Sequence, residues 1–517
     1  MGFAKYFNRD VIALNKRLST TTDKSFREIL QNQIICLEFD EQIFESLEAD
    51  VCIELLVRIV SRFYPKLKFS SNIKGETAHI LRLKELARSI NSNIEFANED
   101  ETPTFVIIAS RNPGESNRLP HLFLGSEGWI ARLSQTKPLL FGNSNNPFGA
   151  SITACIAASN IFRFVFEKQL KLPLDAEVEF SVHNFSRDLN PDTLLDHVNL
   201  EDVNLVGIGA IGSATVWVLS RLKKLTGNIS LIDHDHVEES NLQRYVLLDE
   251  KDIGSWKVDI ALRAINRDHL NVNSLKCDWS EFINDIHNGR CTSRLVAVCI
   301  DSKEGRIHVQ SSLPKKIINA YTDESRFGIS RHEDFTSGPC LACLYMPSNI
   351  QRSKLDIMVQ ELNMKGHEIL VYQYMKSGKL LDETFLNIFC GKNGFQLSDL
   401  QEYTNKSLGD FYIEMVCGYK MIEMQSDQQR AEHVDVPLSF QSTMAGVMLG
   451  AEIVLESLGI SRREVRDVSQ WQVLDQVSPD NPSHYSYLKN HSGLCICGDQ
   501  DYQEVYKSKN WNRSTTQ

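Results

Sequence analysis

The sequence predicts an α/β protein built on a doubly wound, mostly parallel sheet, and three features of one stretch carry that prediction. A strand-like run, Val203-Asn-Leu-Val, enters the turn Gly207-Ile-Gly-Ala-Ile-Gly212. Residues 213–224 then show helical spacing. Two further apolar runs, Ile229-Ser-Leu-Ile and Leu295-Val-Ala-Val-Cys-Ile, each lead into a carboxylate, Asp233 and Asp301. Continuous apolar strands of this kind are buried on both faces, as in parallel sheets.

Composition bounds the rest. The chain has 517 residues, 42% hydrophobic and 24% charged. At roughly 100–200 residues per domain that length holds two or three domains. No apolar run approaches the ~20 residues needed to span a bilayer. The opening residues lack an apolar stretch with a small-residue cleavage site, so we expect no membrane segment, no secretion and a cytoplasmic protein. A net charge of −12 argues against a general nucleic-acid binder, whose footprint would be basic. Twelve cysteines are too sparse for a disulfide scaffold. Four of them, Cys36, Cys52, Cys155 and Cys299, lie in apolar patterns and read as buried thiols.

Along the chain the expected divisions are 1–195, 196–345, 346–435 and 436–517. The first has strand-like runs such as Phe105-Val-Ile-Ile-Ala but no glycine fingerprint, and it contains a helix at 149–166. A second helix, 442–458, also starts with small residues and places Met444, Val447, Met448, Ala451, Leu455 and Leu458 on one face. The pair hints at an internal duplication; two unrelated core helices are the alternative. Residues 346–434 are more polar and irregular, suggesting an insertion or crossover rather than an independent domain. The tail after Lys507 is polar, and we expect it to be disordered.

A Gly-x-Gly-x-x-Gly turn brings backbone close to a phosphate or ribose, with helix N–H groups aimed at the anion. Asp233 ends the next strand, where an acid can bind ribose hydroxyls. On these two features alone a dinucleotide-binding oxidoreductase is the leading reading. The next residues are Asp233-His-Asp235-His-Val-Glu-Glu-Ser-Asn241-Leu-Gln-Arg244-Tyr, then Asp252-Ile-Gly-Ser-Trp-Lys257. An arginine and a lysine in addition to the ribose acid suit a triphosphate, whose charge must be held during attack. Asp301, at the carboxyl end of its strand, is placed to hold Mg²⁺, which prefers carboxylate and phosphate oxygens.

This set resembles the ThiF/MoeB/ubiquitin-activating-enzyme family, in order and spacing, across Gly207, Gly209, Gly212, Asp233, Asn241, Arg244, the Ile253-Gly254-x-x-Lys257 turn and Asp301. The resemblance implies a Rossmann-like adenylation domain that uses ATP and Mg²⁺. Asp233 and Asp235 would lie at the nucleotide, with Asp233 on the ribose. Asn241, Arg244 and Lys257 would contact the phosphates, and Asp301 the metal. Tyr245 departs from the family, which often has Gln there.

Cys340-Leu-Ala-Cys343 and Cys495-Ile-Cys497 are two sulfur pairs far apart in sequence. Four thiolates form a closed structural Zn²⁺ site; four free thiols are the alternative. The resemblance favours zinc, as a clamp on the C-terminal segment. It also admits a nucleophilic cysteine in the crossover stretch that accepts the acyl group as a thioester. Cys417, near Lys420, is the first candidate and Cys390 its rival, while an enzyme that stops at the acyl-adenylate is the alternative.

By the same resemblance the N-terminal region would be an inactive adenylation-like domain, making a pseudo-dimer within the chain, with a homodimer also open. It would complete the ATP site, for which Arg9 is one candidate arginine among others, or support the protein substrate. An upstream conjugating-enzyme-like domain is the alternative, and it would need an exposed catalytic cysteine. The implied activity is adenylation of the C-terminal carboxylate of a ubiquitin-like protein, with a conjugating enzyme as a further partner. The two-lobed arrangement resembles bacterial ubiquitin-like conjugation enzymes, including those in antiphage operons, which implies a role of that kind. The alternatives are a sulfur-carrier-protein adenylyltransferase without a thioester step, a nicotinamide-dependent oxidoreductase, and a non-catalytic scaffold that retains a nucleotide-binding fold.

Overall fold

The computed structural model describes residues 2–7, 23–110, 118–186, 195–265, 268–286, 293–323, 326–346, 354–412, 415, 437–460, 468–472, 483–485, 488–490 and 495–510. Met1–Met346 with Val436–Gln517 forms one compact unit, and Pro347–Asp435 forms another.

The first unit holds two sheets. Sheet one comprises β1 (Ile35–Phe39), β2 (Lys66–Ser71), β3 (Glu95–Phe96), β4 (Phe105–Ala109), β5 (His121–Glu127), β6 (Ile130–Ser134) and β7 (Glu177–Ser181), in the order β3-β2-β1-β4-β5-β6-β7. Sheet two comprises β8 (Val198–Val206), β9 (Leu225–Ile232), β10 (Leu270–Leu275), β11 (Leu295–Val298), β12 (Ile317–Thr322), β13 (Arg326–His332), β14 (Val468–Gln472) and β15 (Ser483–Tyr485), in the order β10-β9-β8-β11-β12-β13-β14-β15. Within each sheet the first five strands in sequence pair in parallel and the later ones antiparallel. Through seven strands, therefore, the two sheets share order and direction.

The helices repeat the correspondence. Helix α1 (Leu47–Val60) follows β1, and α2 (Phe148–Val165) lies between β6 and β7. Helix α3 (Ala210–Leu219) follows β8, α4 (Lys257–Ile265) precedes β10, and α5 (Ser439–Ser457) lies between β13 and β14. Thus α2 and α5 occupy the same place in two similar folds, and Phe162 of α2 meets Phe440 of α5 with ring centroids 6.0 Å apart. The duplication hinted at by two helix starts is a duplication of topology.

One expectation needs correcting. Helix α5 has no single apolar face: every residue from Ser439 to Leu455 is buried, while Leu458 is a half-exposed cap. The small residues at its start explain why. A Cβ at Gly446 would overlap the Ile211 carbonyl of α3, and one at Gly450 would come 2.6 Å from Val218 Cγ1. Thr215 Oγ1 donates to the Gly446 carbonyl at 3.0 Å. Glycines four apart thus let two backbones touch, and α5 is covered on all sides. Helix α2 is long and apolar enough to cross a membrane by composition, but 94% of it is buried within this unit.

The second unit is helical. Lys354–Glu361, Glu368–Ser377, Glu383–Asn393 and Leu408–Tyr412 enclose a core that includes Leu362, Val371, Phe385, Leu386, Phe389, Tyr403 and Phe411. Asp382 caps one helix by accepting from Phe385 N at 3.1 Å, and Gly378 and Gly394 end two helices with φ of 63° and 74°. Its polar sequence suggested an irregular insertion; a separate apolar core stands there instead. The helix Gln500–Asn510 likewise occupies part of the tail expected to be disordered.

Candidate nucleotide site and cysteine cluster

The site forms where the strand order of sheet two reverses, between the carboxyl ends of β8 and β11. Gly207 has φ of 92°, and a Cβ there would lie 2.9 Å from the Cys299 carbonyl oxygen just past β11. A Cβ at Gly212 would overlap the Gly207 carbonyl. These two glycines close the turn onto α3. Gly209 differs: the nearest atom to a Cβ there is the Tyr245 hydroxyl at 3.6 Å, so open space lies over the N-terminus of α3. That is the space an anion needs. We expect Gly212→Ala to lower the melting temperature by the equivalent of about 2 kcal/mol or more, because backbone must shift. Gly209→Ala should leave melting near wild type while weakening nucleotide binding. Thermal melts beside ATP titrations of the two variants check this.

Asp233 is 9% exposed. Its Oδ2 accepts from Ile208 N at 2.6 Å and its Oδ1 from Asp235 N at 2.8 Å, which fixes the carboxylate at the mouth of the glycine turn. Burial raises its pKa above the usual aspartate value, against the opposing pull of Lys257 and the two amides. Lys257, the first residue of α4, is only 7% exposed and donates to Asp235 Oδ2 at 2.7 Å. Burial alone would lower its pKa; the Tyr245 hydroxyl, Asp233 and Asp235 outweigh that and raise it. The lysine is therefore charged throughout the neutral range.

Asn241 lies in the short 3₁₀ helix Glu239–Gln243 and accepts from Glu238 N through Oδ1 at 3.1 Å. Arg244 is half-buried, with its guanidinium carbon 6.0 Å from the Tyr245 ring centre. The same ring lies 5.4 Å from Lys257 Nζ. Asp301 is exposed, three residues past β11. The structure thus gathers the Gly207–Gly212 turn, Asp233, Asp235 and Lys257 into one constellation, with Asn241 and Arg244 on the adjoining segment.

Tyr245, which the sequence marked only as a departure, is 7% exposed and lies between the cationic residues and the Gly209 turn. Sequence reasoning also missed two arginines of the other lobe. Arg62 is fully buried and donates to the carbonyls of Leu242 and, at 2.8 Å, Leu248. Arg58 Nη1 donates to the Val246 carbonyl at 3.0 Å. The available signal was basic charge at and just past the C-terminal end of a helix whose acidic residues, Glu48, Asp50 and Glu54, lie earlier. Arg9 lies outside the described residues.

The corresponding crevice of sheet one lies at the carboxyl ends of β1 and β4. It encloses about 440 Å³ and is lined by Asp40, Gln42, Glu45, Ser46, Ser110 and Asn143 together with apolar side chains. No glycine turn stands there; Asp40 and the 3₁₀ helix Glu41–Glu45 take its place.

Four cysteines converge as expected. Cys340 Sγ lies 3.8 Å from Cys343 and 3.4 Å from Cys495. Cys343 is 3.5 Å from Cys495 and 3.4 Å from Cys497, and Cys495 and Cys497 are 3.5 Å apart. A tetrahedron with Zn–S bonds of about 2.3 Å has edges of about 3.8 Å, so the donor set fits zinc. Asn490 N donates to Cys343 Sγ at 3.4 Å, a contact that supports a thiolate. The Cys-x-Cys half closes the cluster as well as Cys-x-x-Cys does.

Cys390 lies in the core of the helical unit at 6% exposure, which is unfavourable for a nucleophile. Cys417 and Lys420 lie outside the described residues. Cys36, Cys52, Cys155 and Cys299 are buried as anticipated, and burial pushes the Cys36 thiol up to about 12.

A doubly wound sheet with a glycine turn, a buried aspartate and a buried lysine at its switch point has the architecture of a nucleotide-binding domain. Residues 185–462 match the ThiF family, more than half of the chain, and the protein belongs to that family. Residues 38–167 match the family described as Prokaryotic E2 family C. The described cysteines within that match, Cys52 and Cys155, are both fully buried. The uncharacterized protein y4jF of Sinorhizobium fredii is 31% identical over 518 residues, covering 99% of this chain and 98% of that protein. The ubiquitin-like modifier-activating enzyme 5 of Culex quinquefasciatus is 25% identical over 180 residues, 31% of this chain and 44% of the enzyme, so less than half of that relative's length is matched. The crystal structure of E. coli MccB with MccA is 15% identical, with a TM-score of 0.34 and coverage of 59% of this chain and 68% of that one.

Proposed function

We propose that this chain activates the C-terminal carboxylate of a ubiquitin-like protein with ATP. The observation that carries this reading is the buried, charged Lys257 beside the ribose acid Asp233 at an open glycine turn. In the proposed step a carboxylate oxygen attacks the α-phosphorus, forming an acyl–O–P bond. The bond to the β-phosphate breaks, and pyrophosphate leaves with its electron pair. Lys257 and Arg244 offset the developing charge, Asn241 orients the phosphates, and Asp233 fixes the ribose. Mg²⁺, held by Asp301, would neutralise phosphate charge.

A second step follows at Cys417. Its thiolate attacks the acyl carbon, the C–S bond forms, and AMP leaves. The burial of Cys390 supports Cys417 over its rival. An ATP-dependent band on a non-reducing gel, lost in Cys417→Ala and kept in Cys390→Ala, is the expected result; a band surviving Cys417→Ala contradicts the assignment.

The N-terminal lobe has the same topology but presents Asp40 and Glu45 where a phosphate would lie, which supports an adenylation-like domain that does not bind nucleotide. The burial of Cys52 and Cys155 supports this over a catalytic conjugating domain. We place the enzyme in the cytoplasm of a bacterium, in a conjugation pathway with a separate conjugating enzyme and a role in antiphage defence. The sulfur-carrier alternative lacks the thioester. Pyrophosphate release that needs a free C-terminal carboxylate, and stops when that terminus is amidated, tests the proposal; release indifferent to amidation would refute it.

A further inference from the structure

Between Asn241 and the turn at Glu250–Asp252 runs a segment with little regular structure, and it carries Arg244 and Tyr245. From its own lobe, Ser213 Oγ accepts from Leu247 N at 3.1 Å, and Ala210, Val237 and Ile260 pack with Leu242, Tyr245 and Leu248. From the other lobe come hydrogen bonds to three of its carbonyls. Arg62 donates to the carbonyls of Leu242 and Leu248, and Arg58 to that of Val246. Arg58 Nη1 also lies 3.9 Å from Asp249 Oδ1. Arg58 stands in the last turn of α1 and Arg62 two residues past its end, and the helix buries Val51, Leu55, Leu56 and Ile59.

The arrangement links the segment to the lobe. Hydrogen bonds from a charged donor are stronger than neutral ones, and a fully buried guanidinium left without acceptors is strongly destabilising. The segment must therefore present the carbonyls of Leu242 and Leu248 on one side of its bend. That same bend turns the Tyr245 ring toward Lys257 and the Gly209 turn.

We infer that Arg62, assisted by Arg58, is a positioning residue of the nucleotide site: the N-terminal lobe holds residues 242–248 in the shape that brings Arg244 and Tyr245 to the phosphates. This rests on the adenylation reading. The lobe without a glycine turn then has a defined task, which is to hold the phosphate-facing segment of its partner lobe.

The full chain serves for the test, with two readouts. One is amide hydrogen exchange over residues 241–249. The other is the split between KM for ATP and kcat in pyrophosphate release. Arg62→Met is expected to speed exchange in that segment and to raise KM for ATP about tenfold or more. Arg62→Lys, which keeps the charge but loses the fork, should fall between it and wild type. Arg163→Met is the control, because Arg163 is equally buried in the same lobe but pairs with Asp175. At a matched loss of melting temperature it should leave both readouts at wild type. Equal KM shifts in the Arg62 and Arg163 variants would overturn the inference, as would unchanged protection over 241–249 in Arg62→Met. If Arg62→Met does not fold, Arg62→Lys and Arg58→Gln decide in the same direction. A wild-type chain that binds no ATP sinks the adenylation reading instead, and the exchange data still report whether Arg62 orders the segment.

Discussion

Lys257→Ala is expected to slow pyrophosphate release on the order of 10²–10³-fold while leaving the protein folded. The lysine is nearly enclosed, at 7% exposure, so its charge acts on a bound phosphate with little screening by water. Its partner Asp235 has a side chain 52% exposed, so water can take over that contact and stability changes little. The sign of the pH effect follows from Asp233. Burial raises that carboxyl, and Lys257 is the first influence holding it down. Without the lysine it rises further, so it protonates at a higher pH and loses its capacity to accept from ribose hydroxyls sooner. KM for ATP should then begin to climb at a less acidic pH in Lys257→Ala than in wild type. Initial rates across a pH series measure both effects, and an unchanged rate with an unchanged acid limb would contradict the role given to Lys257.

Removing zinc should have the largest effect on stability. A structural zinc contributes on the order of 10 kcal/mol of binding free energy that is also folding free energy. Here it would join Cys340 and Cys343, beside the end of β13, to Cys495 and Cys497, which precede the helix Gln500–Asn510. That helix is further held by Tyr506, whose hydroxyl donates to the carbonyls of Lys315 at 2.9 Å and Glu333 at 3.2 Å. Lys509 Nζ donates to the carbonyls of Ser312 and Leu313. Metal analysis should find about one zinc per chain, as a closed four-thiolate site requires. Chelation under denaturing stress, or Cys495→Ser, should lower the melting temperature and expose the C-terminal helix to protease. Cys277→Ser, at a partly exposed thiol outside the cluster, should do neither. A chain with no zinc and an unmoved melt in Cys495→Ser would refute the clamp.

Much of this was legible in the sequence, for physical reasons that also mark where legibility ended. The glycine turn, Asp233 and Lys257 come together from a short stretch of chain, so their spacing made the constellation legible. The convergence of the cysteine pairs was legible across the 155 positions from Cys340 to Cys495 because a four-thiolate site can draw its donors from anywhere in the chain. Element ends were less so. Strand β8 starts at Val198, not near Val203, because exposed Asn199 and Glu201 alternate with buried Val198, Leu200 and Val203 and break the apolar run. Helix α3 starts within the glycine turn and stops at Leu219 instead of reaching Lys224, and the chain turns to begin β9 at Leu225. The all-round burial of α5, the separate core of Pro347–Asp435 and the reach of Arg58 and Arg62 depend on tertiary packing. No local pattern encodes them.

ATP–pyrophosphate exchange with a ubiquitin-like partner bearing a free C-terminal carboxylate tests the central claim most directly. Label should pass from pyrophosphate into ATP only when ATP, Mg²⁺ and that partner are all present, and the signal should vanish in Asp301→Ala. Exchange undiminished in that variant, or binding of NAD(P)H with no exchange at all, would contradict an adenylating enzyme.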